Sequence, residues 1–219
     1  MRSLTLLDER GAMPSLQALS EQDATRPVVL IGFQKQGNLG IGYLAATLMR
    51  RGHRVKVLDF EDAAEQILAT IEAEAPVVVG FSLIFQFYLP RFRALMQYLR
   101  NHGVRCHFTI GGHFPSLSHE RTLELIPEVD SVVRFEGEVT LLELVESLIH
   151  DQDWRRIDGL AYRRDGRFVS NPLRHLLDDL DVLPFPYRQY EPTAILGQRT
   201  MPILASRGCS RTCSFCSIH

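Results

Sequence analysis

Three of the chain's four cysteines fall within eight residues, as Cys209-Ser-Arg-Thr-Cys213-Ser-Phe-Cys216. Thiolates set this close on one short loop can hold three irons of a 4Fe–4S cluster, which leaves the fourth iron open to a small molecule. Zinc is the other metal such a set could take, with His219 as the fourth ligand, although structural zinc sites commonly use C-x2-C pairs. Cys106 stands apart in a strand-like run and reads as a small buried hydrophobe.

A second set of residues recurs through the first two thirds of the chain: Gly37-Asn38-Leu39-Gly40, Ser82-Leu83, Gly111-Gly112-His113 and Glu136-Gly137-Glu138. Paired glycines let a backbone approach a ligand with no Cβ in the way. Gly37 to Gly40 opens a helix, and the free N–H groups there favour anions or polar amides. Ser82 can hydrogen-bond a buried group, and Lys35 is placed to reach a phosphate or an amide. Glu136 and Glu138 also suit a helix N-terminus for electrostatic reasons alone.

The elements that position these loops alternate between strand and helix. Val28 to Phe33, Arg54 to Phe60, Val77 to Ser82, Val104 to Ile110 and Ser131 to Phe135 read as five strands, several of them continuous apolar runs of the kind buried on both faces. Between them lie helical patterns at Leu39–Arg51, Glu61–Ala73, Leu89–Asn101 and about His119–Leu125, and a last helix runs to about Ile149. This alternation predicts an α/β domain over residues 27–150, a doubly wound five-stranded parallel sheet. All the glycine loops then fall at the carboxyl ends of the strands, where such sheets bind ligands.

Residues 1–26 read as a polar N-terminal arm with a short helix at Leu16–Glu21. Residues 151–200 read as a linker whose Arg164-Asp165-Gly166 marks a hairpin and whose Asp178–Pro186 stretch is acidic and proline-punctuated. Residues 201–219 read as a new strand, Met201 to Ser206, running into the cysteines.

Composition narrows the classes. The chain has 219 residues, 45% of them hydrophobic, and a net charge of −2, which excludes general disorder and gives no electrostatic reason to bind nucleic acid. Its longest apolar stretch, Pro76 to Pro90, is shorter than the roughly 20 residues of a membrane span. The apolar Leu4–Leu7 ends at Asp8-Glu9-Arg10, unlike a signal peptide. A cytoplasmic protein with reduced thiols is expected.

The cysteine pattern, with Phe215 before its third cysteine, resembles the signature of radical S-adenosylmethionine (SAM) enzymes, and Pro202 to Cys209 resembles the first strand of their barrel. Residues from about Val28 to Leu148 resemble the cobalamin-binding domain that precedes the barrel in the cobalamin-dependent branch. Gly40, Ser82 and Gly111-Gly112 fall at about that family's relative spacing. Glu136-Gly137-Glu138 resembles its turn after the fifth strand, with Phe135 where glycine is common. Asp178 to Pro186 resembles its interdomain junction. The chain departs from the wider corrinoid pattern at Lys35 and Gly37, which stand where an Asp and the cobalt-ligating His would be, and at Ile84, which replaces a Leu; loss of the His is usual in the radical SAM branch.

The resemblance implies three cofactors: cobalamin, a 4Fe–4S cluster on Cys209, Cys213 and Cys216, and SAM on its open iron. The implied corrinoid contacts are Gly37, Asn38, Leu39, Gly40, Ser82, Leu83, Gly111, Gly112, His113, Glu136, Gly137 and Glu138. The implied partner is an electron donor of flavodoxin or ferredoxin type, and the implied reaction is methyl transfer to an unactivated carbon, with rearrangement, cyclisation and redox outcomes also found in the family. Because the rest of the barrel does not follow Cys216, the sequence reads as the N-terminal portion of such an enzyme, a truncated product or fragment. Two other classes stay open at this point: a stand-alone corrinoid carrier or sensor, and a flavodoxin-like interaction domain with a zinc-bound tail.

Overall fold

A computed structural model of the protein describes residues 26–34, 38–189, 192–209, 211 and 213–216. Lys35, Gly37, His219 and the expected helix at Leu16–Glu21 lie outside the described residues.

The expected alternation is present. Strands β1 (Val28–Gly32), β2 (Val55–Asp59), β3 (Val78–Ser82), β4 (His107–Gly111) and β5 (Ser131–Val133) run parallel. They are separated by α1 (Leu39–Arg50), α2 (Ala64–Glu74), α3 (Leu89–Asn101), α4 (His113–Leu117) and α5 (His119–Leu125), and α6 (Glu138–Ile149) follows. The strand order β2-β1-β3-β4-β5 reverses direction after β2, so the switch point lies between β1 and β3.

Period-two alternation along the strands builds two cores. Val28 and Leu30 face α1 and α6 and pack with Leu48, Leu142 and Val145. Val29 and Ile31 face α2, α3 and α5 and pack with Ile67, Phe92, Met96 and Leu123. Helices therefore cover both faces, which is why the strands carry apolar residues at consecutive positions.

The sheet is wider than the sequence reading expected. The hairpin assigned to the linker, β6 (Leu160–Arg164) and β7 (Arg167–Ser170), joins antiparallel on the far side of β5 and makes a seven-stranded sheet. Asp165 and Gly166 form its turn with φ of 51° and 74°, as an Asp-Gly hairpin requires. Leu160, Ala161 and Tyr162 are buried, so β6 shields β5 from being an open edge.

The strand expected at Met201–Ser206 does not form. That segment has no ladder, and Ile203 stays 76% exposed. An extended segment becomes a strand only against a partner backbone, and none lies beside it among the described residues. A short hairpin instead precedes it, β8 (Thr193–Ile195) and β9 (Gln198–Thr200).

His107, at the start of β4, gives the core an acid sensitivity. Its Nε2 lies 2.8 Å from the Ser131 hydroxyl, and its ring meets Trp154 edge-on. Burial pushes its pKa down to about 4, against an opposing pull from Asp130. Between that value and the ordinary 6.5 the unfolded chain binds the proton and the folded chain does not. Stability from the neutral ring is therefore complete above pH 6.5 and is lost as pH falls towards 4, by on the order of 3 kcal/mol in total. Urea midpoints measured from pH 7 down to pH 4 are expected to fall more steeply in the wild type than in His107→Gln.

Candidate functional site at the carboxyl edge of the sheet

The carboxyl ends of β1, β3 and β4 converge with the N-terminus of α1. Asn38 caps that helix: its Oδ1 accepts from the Ile41 N–H at 3.2 Å and its main-chain carbonyl from the Gly42 N–H at 3.2 Å. The residue is 9% exposed, and its Nδ2 amide has no hydrogen-bond partner among the described residues. A buried amide donor without an acceptor costs about 1–3 kcal/mol, so this position is suited to an incoming acceptor. The approach of α1 to the sheet depends on Gly32: a Cβ there would stand 2.4 Å from Ile41 Cδ1 and 3.1 Å from Ser82 Cβ. Leu39 and Gly40 form the first turn of α1, with Gly40 exposed.

Across the switch point, Ser82 ends β3 opposite Gly111 and keeps partial exposure. Leu83 brings its backbone, not its side chain, to this edge. Its side chain is fully buried in the core under α2 and α3, because it points to the opposite face from Ser82. Only its backbone faces the edge, where its N–H donates to the Gly111 carbonyl at 2.9 Å. Gly112 follows at φ 112°, with the position of a Cβ only 2.2 Å from the Leu83 carbonyl oxygen. Its own carbonyl accepts from the Ser116 hydroxyl at 2.7 Å, and that hydroxyl accepts from the Phe135 N–H at 2.8 Å. His113 begins α4 and is exposed.

The β5–α6 turn differs from expectation. Glu136, Gly137 and Glu138 lie at this edge, but the two carboxylates face a protein partner. Arg207 donates to Glu138 Oε1 at 2.5 Å and reaches Glu136 Oε1 at 3.4 Å, with its guanidinium 5.0 Å over the Tyr43 ring. The other Glu136 oxygen accepts from the Leu177 N–H at 2.9 Å. Burial alone would lower the Arg207 pKa, but Glu138 and Glu136 outweigh it and raise it. Phe135 takes φ 58°, a left-handed conformation that favours glycine.

Cys209, Cys213 and Cys216 are all exposed, just beyond Arg207. The Cys216 N–H donates to the Cys213 carbonyl at 3.1 Å, which makes the start of a turn. Among the described residues no three Cys, His, Asp or Glu side chains are gathered as metal ligands. The three thiols fit a cluster by donor chemistry, not by an assembled geometry. Cys106 lies just before β4, half-buried, with burial pushing its thiol pKa up to about 11. A thiol so held is protonated and unreactive at neutral pH.

Two open grooves of about 430 and 370 Å³ lie at the opposite, amino edge, around Arg26 and His102 and around Arg105 and Asp130. Arg100 closes that edge by bonding the carbonyls of Val104, Cys106 and Glu128 and the Asp130 carboxylate. Among the described residues neither groove carries a buried unpartnered donor; the smaller one is lined by Glu128, whose Oε2 is an unpartnered acceptor.

The B12 binding domain profile matches residues 29–145, more than half of the chain. The chain belongs to the B12-binding domain family. Among relatives of this B12-binding domain, an uncharacterized methyltransferase from Pyrococcus horikoshii is 30% identical over 185 residues, covering 82% of this chain and 40% of that protein. Anaerobic magnesium-protoporphyrin IX monomethyl ester cyclase from Synechocystis is 28% identical over 186 residues, covering 81% and 37%. The apo structure of OxsB, a cobalamin-dependent S-adenosylmethionine radical enzyme, superposes with a TM-score of 0.67 at 21% identity, covering 84% of this chain and 27% of that one. That likeness shows a shared fold. The chain spans about two fifths of the length of these curated relatives, and no helix among its described residues is long and apolar enough to cross a membrane.

The residues that sequence reading missed are Gly32, Tyr43 and Arg207. Gly32 ends a strand with no flanking glycine to mark it. Arg207 pairs with carboxylates some 70 positions away, a separation that no local pattern reveals.

Proposed function

We propose that this chain is the corrinoid-holding part of a cobalamin-dependent radical SAM enzyme, carrying a 4Fe–4S cluster on Cys209, Cys213 and Cys216, and that its reaction is methyl transfer to an unactivated carbon. The observation that carries this reading is the edge itself. A B12-binding domain presents at this edge a buried Asn38 amide with no partner among the described residues, beside the close-packed glycines Gly32, Gly111 and Gly112, in a chain that also bears C-x3-C-x2-C.

These residues fit the group. Cobalamin bears amide and phosphate oxygens, and the Asn38 Nδ2 would donate to one of them. Gly111 and Gly112 would let the β4 backbone lie against its extended tail. Ser82 would offer its hydroxyl and Leu83 only its main chain. Phe85 and Phe87, 42% and 69% exposed beyond β3, would exclude water from the same edge. Glu136 and Glu138 pair with Arg207 through one oxygen each, and the remaining Glu138 oxygen has no partner among the described residues. When bound, cobalamin supplies a cobalt centre able to carry a methyl group, and a cluster on three thiolates supplies an open iron and an electron for SAM. A flavodoxin- or ferredoxin-type donor would deliver that electron.

Asn38→Asp separates cofactor binding from stability. Asp caps a helix about as well as Asn, so the unfolding midpoint is expected to stay close to that of the wild type. The lost amide donor is expected to weaken corrinoid affinity about tenfold, the worth of one hydrogen bond. Equilibrium titration of both proteins checks this.

Anaerobic reconstitution with iron and sulfide tests the cluster assignment. About four irons per chain are expected from a three-cysteine, site-open cluster. Zinc bound with no iron would overturn it and favour a zinc-held tail.

A further inference from the structure

The segment that leads to the cysteines has few anchors. Past Tyr187, whose N–H donates to the Gly42 carbonyl at 2.9 Å, the chain leaves α1. Residues 201–206 form no ladder, and Ile203 and Leu204 are exposed. The Arg188 guanidinium bonds the Pro202 carbonyl at 2.8 Å, which ties the start of the segment to the Tyr187 anchor on α1 but leaves the residues nearest the cysteines to Arg207. Arg207 is different. It stands two residues before Cys209, and its side chain is 19% exposed. It reaches three points of the B12-binding domain at once: Glu136, Glu138 and the Tyr43 ring. Glu138 begins α6 and is 5% exposed, and Tyr43 lies on α1, so the clasp closes on the two helices that flank the carboxyl edge. A planar guanidinium that pairs with two carboxylates and stacks on a ring fixes direction as well as distance.

We propose that Arg207 is a positioning residue that fastens the cysteine loop to the β5–α6 turn and α1, so that whatever the cysteines hold stands over the corrinoid edge. The inference rests on the function proposed above only for what the two sites carry; the clasp itself is a property of the chain. It also gives the two acidic residues of this turn a shared protein partner through one oxygen each, while Glu138 Oε2 is buried without a partner among the described residues.

The test is a distance distribution by pulsed electron paramagnetic resonance on the chain of residues 1–219 without cofactors. One spin label sits on Cys216, with Cys106, Cys209 and Cys213 changed to Ser. The other sits on α3 through Arg93→Cys, at an exposed position. A narrow distribution is expected with Arg207 present. Arg207→Ala is expected to broaden it to on the order of 10 Å or more, as for a loop released onto a flexible tether. Glu136→Gln with Glu138→Gln should broaden it likewise from the other side of the clasp. A distribution that is already broad, or one unchanged in both variants, would overturn the proposal. With unsubstituted cysteines and both cofactors loaded, the magnetic coupling between cobalt and the reduced cluster should be well defined in wild type and scattered in Arg207→Ala; a sharp coupling in the variant would also overturn it. A wild-type chain that takes up no corrinoid or no iron would refute the proposed function while leaving the label distances to decide the clasp.

Discussion

Gly112→Ala is expected to destabilise the folded chain by about 3 kcal/mol, combining backbone strain with a steric clash, and to abolish corrinoid retention. The residue sits at φ 112° and ψ −175°, a region open essentially to glycine. A Cβ would fall 2.2 Å from the Leu83 carbonyl oxygen and 2.7 Å from its carbon. Neither backbone can move aside cheaply. Leu83 is held by its N–H bond to Gly111 and by a fully buried side chain, and Gly112 is held by the Ser116 hydroxyl and N–H on its carbonyl. Relief requires the ends of β3 and β4 to part at the point where the cofactor tail would lie. Gly103→Ala is the control. Its φ is 89°, but nothing lies within 4 Å of the added carbon, so about 1 kcal/mol of left-handed strain is all it should cost. Gly111→Val is the milder partner at the site, since its Cβ would stand 3.1 Å from the Val133 carbonyl oxygen. Urea unfolding and hydroxocobalamin titration of the three variants check the order. A Gly112→Ala protein as stable and as competent as wild type would mean that the β3–β4 junction is not rigid.

Cys213→Ala is expected to reduce bound iron from about four per chain to nearly none, because a cluster left with two protein ligands on a short loop does not persist. The helical content should not change. Cys209, Cys213 and Cys216 are exposed and contribute to neither core cluster. Cys106→Ala should show the reverse pattern, with iron retained, since that thiol packs beside the core under α2 and α3 and its raised pKa keeps it protonated. Iron assay and circular dichroism read both. A collapse of the dichroism signal in Cys213→Ala would show that the tail belongs to the domain's folding unit.

The parts of the fold that could be read from sequence are those whose signal is local. The range Leu89–Asn101 was legible as α3 because an apolar stripe, a proline in the first turn and Gly103 just past the end mark both limits. The Asp165-Gly166 turn was legible for the same reason. The docking of β6 onto β5 was not, because pairing is a long-range choice, and the hairpin signal does not say which edge it will cover. The short α4 was missed because His113-Phe114-Pro115 carries no helical period. The place of Asn38 and of the Gly111-Gly112 pair at the carboxyl edge was legible from residue type and strand order. The burial of the Leu83 side chain in the core was not read, because one position along a strand reverses the face. The pairing of Glu136 and Glu138 with Arg207 was not legible, since Arg207 comes to them only through the fold.

The most direct test of a corrinoid site at this edge is anaerobic titration of the intact chain with hydroxocobalamin, followed by gel filtration and a visible spectrum. Corrinoid should co-elute with the protein, and the spectrum should be that of a cobalamin whose own base has left the cobalt, as expected when the tail is drawn into the domain and Gly37 stands where a ligating His would be. A folded protein that elutes free of corrinoid would contradict the account and reduce the carboxyl-edge glycines to ordinary turns.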